Sequence, residues 1–301
     1  MLQITADIFS GRPNPSWIVT DADATDQLLK RIADNPQLIA APGRGWGHLS
    51  YREVIVTTLN DDSRVPKTFA LGAAGAEAYE ESASIARQLV QSMAVGEATL
   101  VSHALTPPTP EIRDLTLEQL DKVIAERPPV YLLEAIKAPA KRTTVKDVEC
   151  KNGCAYEISK FNPTFWNSPA VQPYNNCYNY ARNWKTNTFA QPGRAHGAMY
   201  GALTCPAVST AARADGLANR CDCLPDSEYP RRLVALVVGP GYDYHWYREQ
   251  QGGFWGHKPG GTAAKNTDNN GALIRSPETC ARGPYTDFCG YFYAGRSVVI
   301  N

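Results

Sequence analysis

The hydrophobic and polar positions along the chain predict a mixture of short strands and helices. In residues 2–9, Ile4, Ala6 and Ile8 alternate with other positions, as in a strand with one buried face. Residues 73–94 carry apolar side chains near a 3.6-residue period, which predicts a long amphipathic helix. Further helices are predicted at residues 25–33, 117–127, 174–188 and 206–217, and further strands at residues 17–19 and 51–59. The fold class that follows is α+β.

The second half of the chain predicts an antiparallel sheet. Residues 233–238 are an unbroken apolar run, which is typical of a central strand buried on both faces. Residues 243–248 alternate as a strand, and residues 254–258 return after a Gly-rich loop. The polar, basic residues 137–146 are interpreted as a linker. We therefore predict an N-terminal α+β module of unknown role (residues 1–140) and a Cys-rich module (residues 147–301) in which a Cys-bearing helix packs on the sheet.

Composition narrows the classes of protein. The 30 basic and 30 acidic residues cancel, which argues against nucleic acid as a partner. No apolar run approaches the roughly 18–20 residues of a membrane span, so no membrane partner is expected. Residues 1–7 lack the basic start and apolar run of a signal peptide. No cofactor is predicted, and the oligomeric state is left open.

The cysteines are confined to the second module. All eight follow residue 149, at positions 150, 154, 177, 205, 221, 223, 280 and 289. Such clustering is typical of disulfides and of an oxidising compartment, so secretion is suspected, with a cytoplasmic location left open. Zinc is the alternative, but the spacings lack paired C-x2-C motifs and no metal site is predicted. Residues 266–271 begin like a calcium loop, but Pro277 stands where the bidentate Glu is required, so an Asx turn is expected.

Cys177 is the candidate nucleophile. It follows Asn176, a good N-cap residue, and would lie in the first helical turn. There the helix dipole and free backbone N–H groups favour a thiolate. The alternative is that Cys177 is half of a disulfide or a buried apolar residue.

Two histidines of the predicted hairpin could serve this cysteine. Alternation places Asp243, His245 and Tyr247 on one strand face, with Tyr244 and Trp246 on the other. His245 is the candidate base, and the alternative is a core histidine bonded to backbone. His257 on the returning strand could orient His245 by a hydrogen bond to the ring nitrogen of His245 that faces away from Cys177. Asp268 is the alternative orienting residue.

An oxyanion site and a substrate cleft complete the hypothesis. Gln172 is a candidate oxyanion donor together with the backbone N–H of Cys177, and the two asparagines before Cys177 compete for that role. The aromatic residues expected to line the cleft are Tyr178, Trp246 and Trp255.

The order of these parts over residues of about 165–260 resembles the papain-like superfamily, and within it the NlpC-type and CHAP-type amidases. In that resemblance Cys177 matches the nucleophile, His245 the base and His257 the third residue. Gln172 lies close to the position of the papain-like oxyanion glutamine. The strings around Cys177, His245 and His257 also resemble an uncharacterised protein family associated with bacteria.

Two functions are therefore open. The first is a cysteine-dependent amide-bond hydrolase or acyl transferase, such as a cysteine peptidase or amidase, acting on a peptide or peptidoglycan-like substrate. The second is a non-catalytic, disulfide-stapled, aromatic-rich binding module for carbohydrate or a protein ligand. A zinc hydrolase is a third, more distant alternative.

Overall fold

The computed structural model describes residues 1–43, 45–46, 48–93, 106–126 and 143–301, and it divides the chain into two units. One comprises Met1–Phe9 and Pro13–Val130, the other Ser10–Arg12 and Tyr131–Asn301. Residues 137–142 of the predicted linker lie outside the described residues. Residues 143–146 form a strand, so the module boundary predicted from composition stays a prediction.

The first unit contains an antiparallel sheet of four strands in the order β2-β1-β3-β4. The strands are β1 (Leu2–Asp7), β2 (Ser16–Val19), β3 (Glu53–Thr58) and β4 (Thr68–Leu71). The predicted alternation of β1 is confirmed, because Leu2, Ile4 and Ala6 are fully buried. Ile4 lies between Trp17 of β2 and Val56 of β3.

The described residues of this unit include the helices α1 (Ala22–Asp34), α2 (Tyr79–Gln91) and α3 (Pro110–Glu126). Helix α1 begins at an N-cap, where the Asp21 side chain accepts a hydrogen bond from the backbone N–H of Ala24. Helix α2 is shorter than the predicted residues 73–94, because it begins at Tyr79. Its buried stripe of Ala83, Ala86 and Val90 keeps the predicted helical period.

The second unit contains a five-stranded antiparallel sheet in the order β10-β9-β8-β11-β7 and a separate hairpin. The sheet strands are β7 (Ala218–Asn219), β8 (Arg232–Gly239), β9 (Asp243–Gln250), β10 (Phe254–His257) and β11 (Asp287–Ala294). The hairpin pairs β5 (Thr143–Lys146) with β6 (Ala155–Ile158). Every residue of β8 is buried, which confirms the predicted central strand. The hairpin of β9 and β10 is confirmed as well.

The helices of the second unit are α4 (Pro163–Trp166), α5 (Cys177–Arg182) and α6 (Cys205–Ala214). Side chains of α5 and α6 form a core with Val234, Leu236 and Trp246 on one face of the sheet. Three disulfides join Cys150 to Cys221, Cys154 to Cys223, and Cys205 to Cys289. The mixed helix and sheet confirms the α+β class, and a papain-like arrangement within it stays a prediction.

The helix predicted at residues 174–188 is the main error in the predicted elements. Residues 172–174 form a separate 3₁₀ turn, and α5 ends after only six residues. Asn183 stops it by adopting a left-handed conformation with φ of 58°. Strand β11, which pairs with β8 over most of its length, has no counterpart among the predicted strands.

Candidate functional site

Cys177 begins α5, as the sequence predicts, but it lies in the core. The Asn176 side chain accepts hydrogen bonds from the backbone N–H groups of Tyr178 and Asn179, and a capping box completes the helix start. The exposed fraction of Cys177 is 0%. Its neighbours in the core include Tyr244 and Trp246 of β9.

This environment opposes a thiolate. Burial raises the pKa of Cys177 well above its ordinary value, and the nearby carboxylate of Asp243 adds to the rise. The helix-dipole argument predicts the opposite shift. A helix of six residues does not offset the complete desolvation of the sulfur.

His245 and His257 form the pair that the hairpin predicts. His245 Nε2 and His257 Nδ1 are 2.8 Å apart, and His257 Nε2 is 3.0 Å from the carbonyl oxygen of Thr267. The ring of His257 stacks on Tyr247. Burial lowers the pKa of His257 well below its ordinary value, and the charge of Lys265 adds to this, so the ring is neutral at physiological pH.

Cys177 and His245 lie on opposite sides of the sheet. Tyr244 and Trp246 of β9 pack in the core with Cys177. Since successive strand residues point to opposite faces, His245 between them faces away, where its ring contacts Tyr247 and Tyr285. The structure therefore does not bring the proposed nucleophile and base together.

The other two predicted site residues, Gln172 and Asp268, make hydrogen bonds that stabilise loops. Gln172 is half-buried, and its backbone carbonyl accepts a hydrogen bond of 2.6 Å from Lys258. The carboxylate of Asp268 accepts hydrogen bonds from the backbone N–H groups of Asn270, Ala272 and Ala281. This confirms the predicted Asx turn. Asp268 thus orders residues 268–281, and it is His257 that contacts His245.

The aromatic residues predicted to line a cleft are buried instead. The exposed fractions are 1% for Tyr178, 0% for Trp246 and 7% for Trp255. Tyr178 donates a hydrogen bond to Asp215, and Trp255 packs against Tyr291. Among residues 143–301, the exposed large aromatic side chains are others: Phe165, Tyr174, Trp184 and Tyr229.

Trp184 lies in a short, unusually bent segment that we name the Trp184 loop, residues 183–189. Three of its residues have left-handed φ angles: Asn183 at 58°, Asn187 at 58° and Phe189 at 54°. Asparagine tolerates this conformation, but a bulky residue such as Phe189 rarely adopts it. Strained backbone of this kind persists only where surrounding contacts determine it, and it is frequent at functional sites.

Two buried asparagines determine the conformation of the Trp184 loop. Asn175 accepts hydrogen bonds from the backbone N–H groups of Thr186 and Asn187, and donates one to the Asn187 side chain. Asn179 donates hydrogen bonds to the carbonyl of Trp184 and to the hydroxyl of Thr186. Asn175 was predicted only as a possible oxyanion donor. The asparagine-rich string before and after Cys177 is therefore a scaffold for the loop.

An apolar cavity of about 200 Å³ lies in the first unit. Its walls come from β1, β2, α1 and α2 and include Leu2, Val19, Leu28, Ile85 and Leu89. Its polar lining residues are Thr25, Gln88 and Ser92.

Six of the cysteines form disulfides, and Cys177 and Cys280 are free. The cysteines considered as zinc ligands are paired in disulfides instead: Cys150 with Cys221, and Cys154 with Cys223. Within the described ranges, no group of three His, Cys, Asp or Glu residues is placed to hold a metal ion. None of the helices in those ranges is both long and apolar enough to span a membrane.

We expect native Cys177 to resist thiol reagents, because its sulfur is buried and its pKa is raised. Iodoacetamide followed by peptide mass spectrometry should modify only the half-buried Cys280 in native protein, and slowly, because burial raises the pKa of that thiol to about 11. Denaturant without reductant should expose both free thiols. In a Cys280→Ser variant, native labelling should vanish. Preferential labelling of native Cys177 would contradict the structure.

Fold and site together define a disulfide-stapled α+β protein in which the free cysteine at the start of α5, Cys177, is buried in the core. No protein-family model matches the chain, and no solved structure is significantly similar to it. A curated protein of Ruditapes philippinarum, named insoluble matrix shell protein 1, is 47% identical over 143 residues. This match spans 48% of the chain and 95% of the relative. The chain belongs to the family of insoluble matrix shell protein 1.

The prediction of a cysteine-dependent hydrolase or acyl transferase is wrong. The relative's name describes a component of an insoluble shell matrix and no peptidase or amidase. The burial of Cys177 agrees with this correction. The binding-module alternative, which needs no free nucleophile, fits better.

Proposed function

We propose that the chain is a non-catalytic, disulfide-stapled component of an insoluble extracellular matrix. The observation that carries the proposal is the 47% identity to insoluble matrix shell protein 1 over 95% of that relative. Its partners are then matrix polymers, carbohydrate or protein, rather than a peptide substrate that is turned over.

Two features of the second unit support this role. The three disulfides, each closing a loop with a sequence separation between 69 and 84, suit a protein that persists in an oxidising environment outside the cell. Several aromatic side chains of the unit are exposed, and the Tyr and Trp rings among them combine an apolar face with a polar edge, which suits contact with a polymer.

Fractionation of the source organism tests the proposal. Cells and extracellular material are separated, each is extracted with detergent and with salt, and the soluble and insoluble fractions of both are probed with an antibody raised against the recombinant chain. We expect enrichment in the insoluble extracellular fraction. Recovery of the chain mainly from the soluble intracellular fraction would overturn the proposal.

A further inference from the structure

Trp184 is partly exposed to solvent, and Arg182 lies over its ring. Its exposed fraction is 46%, and the guanidinium carbon of Arg182 lies 5.0 Å from the ring centroid. Arg182 itself is buried and donates hydrogen bonds to the carbonyl oxygens of Val298 and Arg296. A fixed cation thus supports one face of the indole, and the exposed area belongs to the rest of the ring.

The backbone of Trp184 is held by hydrogen bonds. Its N–H donates to the carbonyl of Asn179, and its own carbonyl accepts from the Asn179 side chain. On the far side of the Trp184 loop, Arg194 donates hydrogen bonds to the carbonyls of Thr188 and Phe189. An aromatic ring that is ordered before binding loses little conformational entropy on contact with a ligand.

Two hydroxyls of the Trp184 loop form a directed chain of hydrogen bonds. The Asn179 amide donates to Thr186 Oγ1 at 2.8 Å, and the backbone N–H of Thr188 donates to the same oxygen at 3.3 Å. Thr186 must then use its only hydroxyl proton toward Thr188 Oγ1, which is 2.8 Å away. The exposed Thr188 hydroxyl keeps its own proton for an acceptor outside the protein.

We propose that the Trp184 loop is a binding site for a neutral polysaccharide, in which Trp184 stacks on a pyranose ring and the Thr188 hydroxyl bonds a sugar oxygen. A pyranose has an apolar face of C–H groups and a rim of hydroxyls. This combination matches an aromatic ring supported by Arg182 and an oriented hydroxyl in the same loop. A protein partner of ordinary affinity would need a larger apolar patch, and the side chains next to Trp184 in the loop are polar ones, Lys185, Thr186, Asn187 and Thr188. The inference rests on the proposed matrix function and names the polymer class.

Sedimentation with insoluble polysaccharide tests the proposal. Recombinant full-length protein is mixed with cellulose or chitin particles, and the bound fraction is measured as a function of particle concentration. Trp184→Ala should weaken binding by about tenfold, the scale of the loss when one aromatic stacking partner of a nucleobase is removed. Trp184→Phe should restore part of the binding, and Thr188→Val should weaken it less than Trp184→Ala. Both residues are exposed or half-exposed, so the variants should fold, as circular dichroism will check.

Tyr229→Ala is the matched control, because Tyr229 is also 46% exposed but lies outside the loop. It should bind like the wild type. The proposal is overturned if the wild type binds neither polymer, if Trp184→Ala binds as the wild type does, or if Tyr229→Ala loses binding equally. If it is overturned while fractionation still finds the chain in the insoluble matrix, the matrix function stands and only the polysaccharide site fails.

Discussion

Removing both neighbouring disulfides, Cys150–Cys221 and Cys154–Cys223, should lower the free energy of unfolding by about 7 kcal/mol on the chain-entropy model. When both bonds are absent, forming either one of them closes a loop with a sequence separation of 69 or 71. Closing a loop of that length is worth about 4.4 kcal/mol on this model. The second bond then closes only a small ring through residues 150–154 and 221–223, worth about 2.5 kcal/mol.

The signature of this arrangement is non-additivity. Replacing either bonded pair alone by alanines opens only the small ring, so each single-pair variant should lose about 2.5 kcal/mol. Two such losses add to about 5 kcal/mol, less than the loss expected when both pairs are replaced. Urea unfolding of the three variants, followed by circular dichroism, measures all three values.

The third disulfide provides the control. Cys205–Cys289 closes a loop with a sequence separation of 84 that neither of the other bonds shortens. Its replacement by alanines alone should therefore cost about 4.5 kcal/mol, clearly more than loss of one of the neighbouring pair. Equal losses for all three single-pair variants would show that native contacts, such as the Arg220–Asp147 ion pair, determine the cost rather than loop closure.

The elements that sequence predicts well are those with local determinants. The apolar run of β8 and the alternation of β9 specify buried strands without reference to the rest of the chain. The N-cap at Asn176 is equally local, since its two acceptor bonds run to residues 178 and 179. Strand β11 could not be found in this way, because a bulge between Phe288 and Gly290 interrupts its period.

The arrangement of the candidate site was mispredicted for a different reason, because it depends on tertiary packing. Alternation correctly placed the side chains of His245 and Trp246 on opposite faces of β9, but it does not predict against which face a helix packs. Cys177 packs with Trp246, and this one choice separates the thiol from the histidine. The same missing knowledge made Trp246 a candidate for the cleft.

Trp184 was overlooked for a related reason. The predicted helix extended through residues 174–188, which placed Trp184 inside it as an ordinary helical residue. The asparagines of this stretch hydrogen-bond to nearby backbone groups and so compete with helix formation. Asn183 and Asn187 both adopt the left-handed conformation that ends helices. Assigning that conformation to them from the sequence would have ended the predicted helix early and predicted the loop.

Asn176 joins three parts of the second unit through four hydrogen bonds. Its oxygen accepts from the backbone N–H groups of Tyr178 and Asn179 at 3.1 and 3.2 Å. Its amide donates to the carbonyls of Gly11 and Ala190 at 2.6 and 2.7 Å. The side chain is fully buried, so water cannot replace any of these partners.

Asn176→Ala should therefore lower the free energy of unfolding by about 2–4 kcal/mol, because it leaves the backbone N–H groups of Tyr178 and Asn179 buried and unpaired, at about 1–3 kcal/mol each. The carbonyls of Gly11 and Ala190 keep hydrogen bonds from the side chains of Gln191 and Tyr244. An N-cap alone is typically worth about 1 kcal/mol. Thr204→Ala is the matched control, since Thr204 caps α6 of the same unit by accepting from the backbone N–H of Ala207. Chemical denaturation should show a loss of about 0.5–1 kcal/mol for that variant. Comparable losses for the two variants would show that Asn176 acts only as a cap.

Asn176→Asp separates the two halves of the interaction. The carboxylate keeps the acceptor for the helix start but replaces the amide donor with an oxygen that faces two carbonyl groups. Burial and these carbonyls should raise the pKa of the new carboxyl above its ordinary value in the folded state. The folded protein then binds more protons than the unfolded chain, so the stability of Asn176→Asp relative to the wild type should fall as pH rises from about 4 toward neutrality. Urea titrations at pH 4 and pH 7 measure this difference, and a pH-independent difference would contradict the bridging role of the amide.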